Sequence, residues 1–269
     1  MAEKHKPVVE FVNVDGVNLR VATQHGDGRG LPLLIFNGVG ANFELVFPFM
    51  EAMDGREMII FDIPGIGRSE MSWRPRRFAG LARLSAKLLD RLGYPQVDVA
   101  GVSWGGALAQ QFARSYPQRC RRLILAATSA GVVMVPGKPS VLSKMITPQR
   151  YLSPSYMQKA AGEIYGGESR RNPHLIVEHT TRVIAPRFMG YLYQLMAGAG
   201  WTSIHWLHKL RQPTLIMAGS EDPLVPPVNA RLLAFLIPNN RLFVVPGGGH
   251  LFMLHSVGIV APIIQKFLD

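Results

Sequence analysis

Six short apolar runs recur along this chain: "LPLLIFNG" (31–38), "EMIIFDIPG" (57–65), "QVDVAGVS" (96–103), "RRLILAAT" (121–128), "PTLIMAG" (213–219) and "RLFVVPGGG" (241–249). Each is too short for a membrane span; the first three read as strands buried on both faces, and the other three as further strands. Ahead of them, "VEFVNVDGVNLRVAT" (9–23) reads as a hairpin turning at Asp15-Gly16. Phe78, Leu81, Leu84, Leu88 and Leu92 mark one face of a helix. Strands alternating with helices predict an α/β chain with a mostly parallel sheet covered by helices on both faces. The composition allows this. Of 269 residues, 48% are hydrophobic and 17% charged, which excludes a disordered chain. The 27 glycines follow no three-residue period, which excludes collagen. The single cysteine, Cys120, excludes an internal disulfide framework or a cysteine cluster and reads as a small residue opening a strand.

From about Gly131 the texture changes. Prolines 136, 139, 148, 154, 173 and 186 interrupt the chain, and no strand pattern returns until 213–219. Residues 131–208 therefore read as a helical cap inserted into a core made of 1–130 and 209–269. Ile259, Val260, Ile263, Ile264 and Phe267 then mark a last amphipathic helix.

The chemistry concentrates where the strand-like runs end. "GVSWG" (101–105) follows one such run and precedes a helical pattern, the strand–turn–helix setting of a nucleophile elbow. Ser103 is expected at the tip of a tight turn, with Gly101 and Gly105 leaving room for strand and helix to pass closely. A serine hydroxyl needs a base. Of eight histidines, His250 sits in a glycine-rich loop after the last strand-like run, in "PGGGHLF"; His255 reads as packing or surface. The chain order Ser…acid…His then points to Asp222 in "GSEDP", with Glu221 as the alternative. An oxyanion hole is expected from the backbone N–H groups of Trp104, next to the nucleophile, and Val39 in "FNGVGAN" (36–42). Asn37 in that loop, with Met134, Met196 and Trp201 of the insertion, are candidates for substrate contact, since methionine adapts to irregular apolar shapes. Met145, Met157, Tyr165, Met189, Tyr191, Tyr193, Leu195 and Trp206 belong to the same apolar set, and any one of the set reads equally as core of the cap.

Other chemistries find less support. His205 and His208 are three apart in "HWLH", but no carboxylate or cysteine accompanies them at ligand spacing, so no metal is expected. The phosphate-binding glycine fingerprints are absent, "FDIPGIGRS" (61–69) reads as a structural turn, and no cofactor is expected. The formal charge of +11 is spread over short clusters, "RPRR" (74–77), "RCRR" (119–122) and "SRR" (169–171). They suit a solvated surface, or an anionic granule or lipid surface, and none sits in a nucleic-acid motif. The start "MAEKHKPVVEF" carries no signal-length apolar stretch, and no window reaches about 18 consecutive apolar residues, so no integral membrane segment and a cytoplasmic location are expected.

These motifs are similar to those of α/β-hydrolases. Through "PLLIFNGVGANFELVFPF" (32–49), "GVSWGGALAQQFA" (101–113), "LILAATSAGVVMVPGKP" (123–139) and "GWTSIHWLHKLRQPTLIMAG" (200–219), the chain resembles the intracellular medium-chain-length poly(3-hydroxyalkanoate) depolymerases. The resemblance runs from about residue 30 to 269. It implies a serine hydrolase that cuts a storage polyester of 3-hydroxy fatty acids through an acyl-enzyme, with nucleophile, acid and base falling on Ser103, Asp222 and His250. It also implies a polyester substrate and association with cytoplasmic granules. The related polymer synthases use cysteine, so serine at 103 favours hydrolysis. Two further readings stand beside this one: an esterase, lactonase or carbon–carbon hydrolase of small substrates with the same triad, and a hydrolase-fold binding protein without turnover.

Overall fold

A computed structural model of the chain describes residues 6–28, 30–53 and 55–269. The first five residues, His5 among them, lie outside the described residues. The chain opens with the hairpin β1 (Val8–Val14) and β2 (Val17–Gln24), in which Val14 faces Val17. Asp15 and Gly16 both have positive φ, 52° and 77°. A two-residue turn of this type matches the twist of the strands it joins. β3 (Leu33–Phe36), α1 (Phe47–Ala52), β4 (Met58–Phe61), α2 (Phe78–Leu92), β5 (Val97–Val102), α3 (Trp104–Ser115) and β6 (Cys120–Ala126) follow. After β6 come six helices in succession, α4 (Pro139–Ser143), α5 (Gln149–Leu152), α6 (Pro154–Tyr165), α7 (Gly167–Arg171), α8 (His174–Thr181) and α9 (Phe188–Gly198). β7 (Thr214–Gly219), α10 (Val228–Leu236), β8 (Asn240–Val245), α11 (Phe252–His255) and α12 (Val257–Leu268) complete the chain.

The eight strands form one sheet in the order β1-β2-β4-β3-β5-β6-β7-β8. The hairpin is antiparallel, as is its pairing with β4, and every later pairing is parallel. The central strands bury both faces, so alternate residues feed two cores. Leu34, Phe36, Val97, Val99, Leu123, Leu125 and Ile216 pack against α2, α3 and α10. Leu33, Ile35, Ala100, Ile124, Leu215 and Met217 pack on the other side, where α1, α11 and α12 supply Phe49, Met50, Phe252, Val260 and Ile264. α2 buries Phe78, Leu81, Leu84 and Leu88, the face its spacing predicts.

The α4–α9 segment is tied at its neck. Gly131 bridges Thr202, Val132 N–H donates to Trp201 O at 2.9 Å, and Ser203 N–H donates to Ala130 O at 3.0 Å. Within it, Val141, Met157, Ala161, Ile164 and Ile176 form a core of their own, which Leu224 joins from the loop after β7.

Backbone meets backbone closely at the turn between β5 and α3. A Cβ on Gly105 would lie 2.1 Å from Phe36 O and 2.5 Å from Asn37 O, and one on Gly101 would lie 2.3 Å from Gly105 O. α3 can thus start directly under β3 only if both positions lack a side chain. Gly105→Ala should lower stability by about 1–3 kcal/mol, because backbone rather than a flexible side chain must give way. A drop in the urea midpoint at unchanged slope checks this; an unchanged midpoint would contradict it.

Candidate active site

The carboxyl ends of β3, β5, β7 and β8 point to one edge of the sheet, the edge where parallel α/β sheets place their ligands. Ser103 follows β5 with φ 56° and ψ −119°, a strained conformation for a residue with a side chain. The turn is held on both sides. Ser103 N–H donates to Ala126 O at 2.9 Å, and Ser103 O accepts from Gly106 N–H at 2.9 Å and from the Thr128 hydroxyl at 2.8 Å.

Asp222, in the loop after β7, is buried. Its Oδ2 lies 2.7 Å from His250 Nδ1, and its Oδ1 accepts from the N–H groups of Leu224 and Val225, each at 2.9 Å. With Nδ1–H donating to the carboxylate, Nε2 is the nitrogen left to act as a base. The alternative acid, Glu221, turns outward and pairs with Arg171 at 2.8 Å. His250 is buried in the loop after β8 and is gripped by the α6–α7 junction. Its N–H donates to Tyr165 O at 2.6 Å, and the Tyr165 ring lies nearly parallel to the imidazole, centroids 6.3 Å apart.

Ser103 and His250 line one cavity of about 720 Å³, its open mouth included. Asn37, Gly38, Val39, Leu45, Phe49, Val102, Leu251 and Met253 come to its wall from the core, and Met145, Arg150, Tyr151, Tyr165 and His179 from the inserted helices. The loop after β3 presents a free donor there. Gly38 N–H donates to Asn37 Oδ1 at 2.8 Å, Gly40 N–H to Gln194 Oε1 at 2.7 Å and Ala41 N–H to Gly38 O at 3.2 Å. The N–H of Val39 makes no hydrogen bond among the described residues. The N–H of Trp104 opens α3 and likewise has no partner within the helix.

Of the four residues expected to touch substrate, Asn37 lines the cavity and the other three do not. Trp201 packs edge-on against Phe78 and Trp206 and donates its indole N–H to Gln111 at 2.9 Å. Met134 sits against Ser129 Oγ at 3.3 Å, and Met196 is exposed. Residue type alone told nothing of which way these side chains turn. Among the described residues no group of three or more His, Cys, Asp or Glu could hold a metal ion, and His205 and His208 are both exposed.

The sequence model described as alpha/beta hydrolase fold matches residues 32–256. The chain belongs to the alpha/beta hydrolase fold family. A poly(3-hydroxyalkanoate) depolymerase of Ectopseudomonas oleovorans is 56% identical over 263 residues, covering 97% of this chain and 93% of that one, so the two are members of one family. Among solved structures, the enol-lactonase of Burkholderia xenovorans LB400 superposes with a TM-score of 0.82 at 19% identity, covering 96% of this chain and 99% of that one, which speaks for the fold alone. A thermophilic esterase from Thermogutta terrifontis gives 0.78 at 25% identity, with 98% of each chain covered.

Buried His179 stands in the cavity wall, with the half-buried His255 beside it. Burial, helped by the charges of His255 and Arg182, pushes the pKa of His179 down to about 4. Burial also brings His255 down to about 4, against the pull of Glu168 and Glu178. Both are neutral in the folded chain at pH values where the unfolded chain, at an ordinary 6.5, is protonated. Stability is therefore fully present above pH 6.5 and falls as the pH drops towards 4. His179→Gln should remove about one proton from the uptake on unfolding in that window. Denaturation midpoints measured across it should fall less steeply than in the parent; an identical slope would contradict the assignment.

Proposed function

We propose that this chain hydrolyses the ester bonds of medium-chain-length poly(3-hydroxyalkanoate), with Ser103 as nucleophile, His250 as base and Asp222 as its orienting acid. The observation that supports the roles best is the Asp222–His250 hydrogen bond, formed between loops from two strands, on a histidine that shares an apolar cavity with Ser103. The substrate class rests on the 56% identical depolymerase, in line with the apolar wall of Leu45, Val46, Phe49, Val102, Met145 and Met253.

In this reading Ser103 Oγ attacks the ester carbonyl while His250 Nε2 takes its proton. The developing oxyanion is held by the N–H groups of Val39 and Trp104, both free to donate. Collapse breaks the ester C–O bond, and His250 returns the proton to the departing 3-hydroxyl. Water, deprotonated by the same histidine, then cleaves the acyl-enzyme and releases a carboxylic acid. Asp222 holds the imidazole tautomer and offsets the charge the ring gains.

The inserted helices act as a cap over the nucleophile. Val132, Val135, Ile146, Leu152 and Phe188 of this segment are exposed, which suits adsorption to an insoluble polyester. With the charge of +11, it supports work at the surface of a cytoplasmic storage granule. Among the described residues no helix is long and apolar enough to cross a membrane.

Ser103→Ala should lower ester turnover by roughly 10⁴- to 10⁶-fold with the fold intact. Parent and variant are to be compared on latexes of medium- and short-chain polymer and on a short p-nitrophenyl ester. Clearing of the medium-chain latex by the parent alone is expected. Good turnover of the short ester with neither latex cleared would instead favour an esterase of small substrates, and an active Ser103→Ala would remove Ser103 from the mechanism.

A further inference from the structure

Arg150 is anomalous beside Arg56, the other arginine that is buried among the described residues. Arg56 pairs with Asp269, and the less buried Arg20 and Arg121 pair with Glu44 and with the buried Asp98. Arg150 is 2% exposed, yet among the described residues no carboxylate reaches it. Its guanidinium is permanently charged. Nη1 donates to Tyr191 Oη at 2.8 Å and to Thr147 O at 3.5 Å, and Nη2 donates to Val39 O at 3.1 Å. The Tyr151 ring lies 4.4 Å below the cation. Nε is buried with no hydrogen-bond partner among the described residues. Neutral oxygens and a ring face compensate a buried charge only in part, and the shortfall is what an anion would fill.

The location says which anion. Arg150 lines the cavity that holds Ser103 and His250, and so does Tyr165, whose hydroxyl is pushed up by burial while the charge of Arg150 pulls against it. The rest of that wall is largely apolar, so the cation is its one strong anchor for a negative group. Under the proposed reaction the anion at hand is a carboxylate: the free end of a poly(3-hydroxyalkanoate) chain, and the acid that each cut creates.

We propose that Arg150, with the Tyr165 hydroxyl, forms a carboxylate subsite that seats the free carboxyl end of the polyester, so that the enzyme removes units from that end. This rests on the polyester-hydrolase reading. In the last unit only two carbons separate the ester oxygen from the carboxylate carbon. With the carboxylate on Arg150, the ester next to Ser103 is the terminal one. Attack on the carbonyl of the penultimate unit breaks its bond to the terminal 3-oxygen, which takes the proton from His250. The terminal unit leaves as a 3-hydroxy acid, and the remainder stays as the acyl-enzyme. Water then frees a chain shortened by one unit, which ends in a new carboxylate.

The sign of the effect makes the proposal testable. A charged chain end should be disfavoured in an apolar cavity without a cation, because its desolvation is not repaid. The probes are the linear dimer of a medium-chain 3-hydroxy acid and its methyl ester. We expect the parent to cleave the free acid with kcat/KM at least tenfold above the ester. Arg150→Met should bring that ratio to one or below, Arg150→Lys should keep part of it, and Tyr165→Phe should lower it. Arg150 also holds Val39 O, and loss of that support alone would slow both dimers alike and leave the ratio unmoved, which would overturn the subsite. Should Arg150→Met fail to fold, the parent still decides: the free 3-hydroxy acid should inhibit competitively and its methyl ester should not. Equal cleavage of both dimers with no inhibition by the acid would refute the subsite and leave the hydrolase intact. Inertness towards both dimers and the polymer would refute the hydrolase reading itself.

Discussion

Everything at the sheet edge depends on how closely α3 can approach β3 at the end of β5. Gly105 meets the carbonyls of Phe36 and Asn37, and Gly101 meets the carbonyl of Gly105, at distances no Cβ could tolerate. This contact forces the chain from strand to helix within one residue, and that residue, Ser103, takes a positive φ as a result. The same approach sets the loop after β3 beside the first turn of α3. Two N–H groups without partners among the described residues, on Val39 and Trp104, are thereby brought to the edge where the serine stands. Strain at Ser103 and donors at the neighbouring loop are two consequences of one packing constraint.

The inserted helices take part in the site as well as covering it. The peptide between Val39 and Gly40 is held from the α4–α9 segment at both ends: its carbonyl accepts from Arg150 and from the Tyr151 hydroxyl, and its N–H donates to Gln194. Gln194 also accepts the indole N–H of Trp104 through its own carbonyl, at 2.8 Å. His250 is held in the same manner through the carbonyl and ring of Tyr165. A shift of these helices would disturb the Val39 loop and His250 together, which ties the reactivity proposed for Ser103 to the arrangement of α4–α9.

The sheet was legible in the sequence because its central strands are buried on both faces and carry no polar interruption. The hairpin was legible because few dipeptides other than Asp-Gly accept two successive positive φ angles. Asp222 and His250, distant in sequence, could be matched because each follows an apolar strand-like run, and the structure joins them by a hydrogen bond. Inside 131–208 the helices are short and cut by prolines, so periodicity had little length over which to act, and Met134, Met196 and Trp201 were assigned to the cavity on residue type alone. Arg150 was missed for the opposite reason: an arginine in a loop-rich stretch reads as surface. The signal available was its setting, a lone cation in "PQRYLSP" with no acidic residue within ten positions on either side.

The account stands on Ser103 being an activated nucleophile, and covalent capture tests that most directly. The parent is treated with a fluorophosphonate, and the adduct is located by mass spectrometry of its peptides. A single adduct on Ser103 is expected, formed far more slowly when His250 is replaced by alanine. Labelling of another residue, or a folded parent that takes no label, would contradict it.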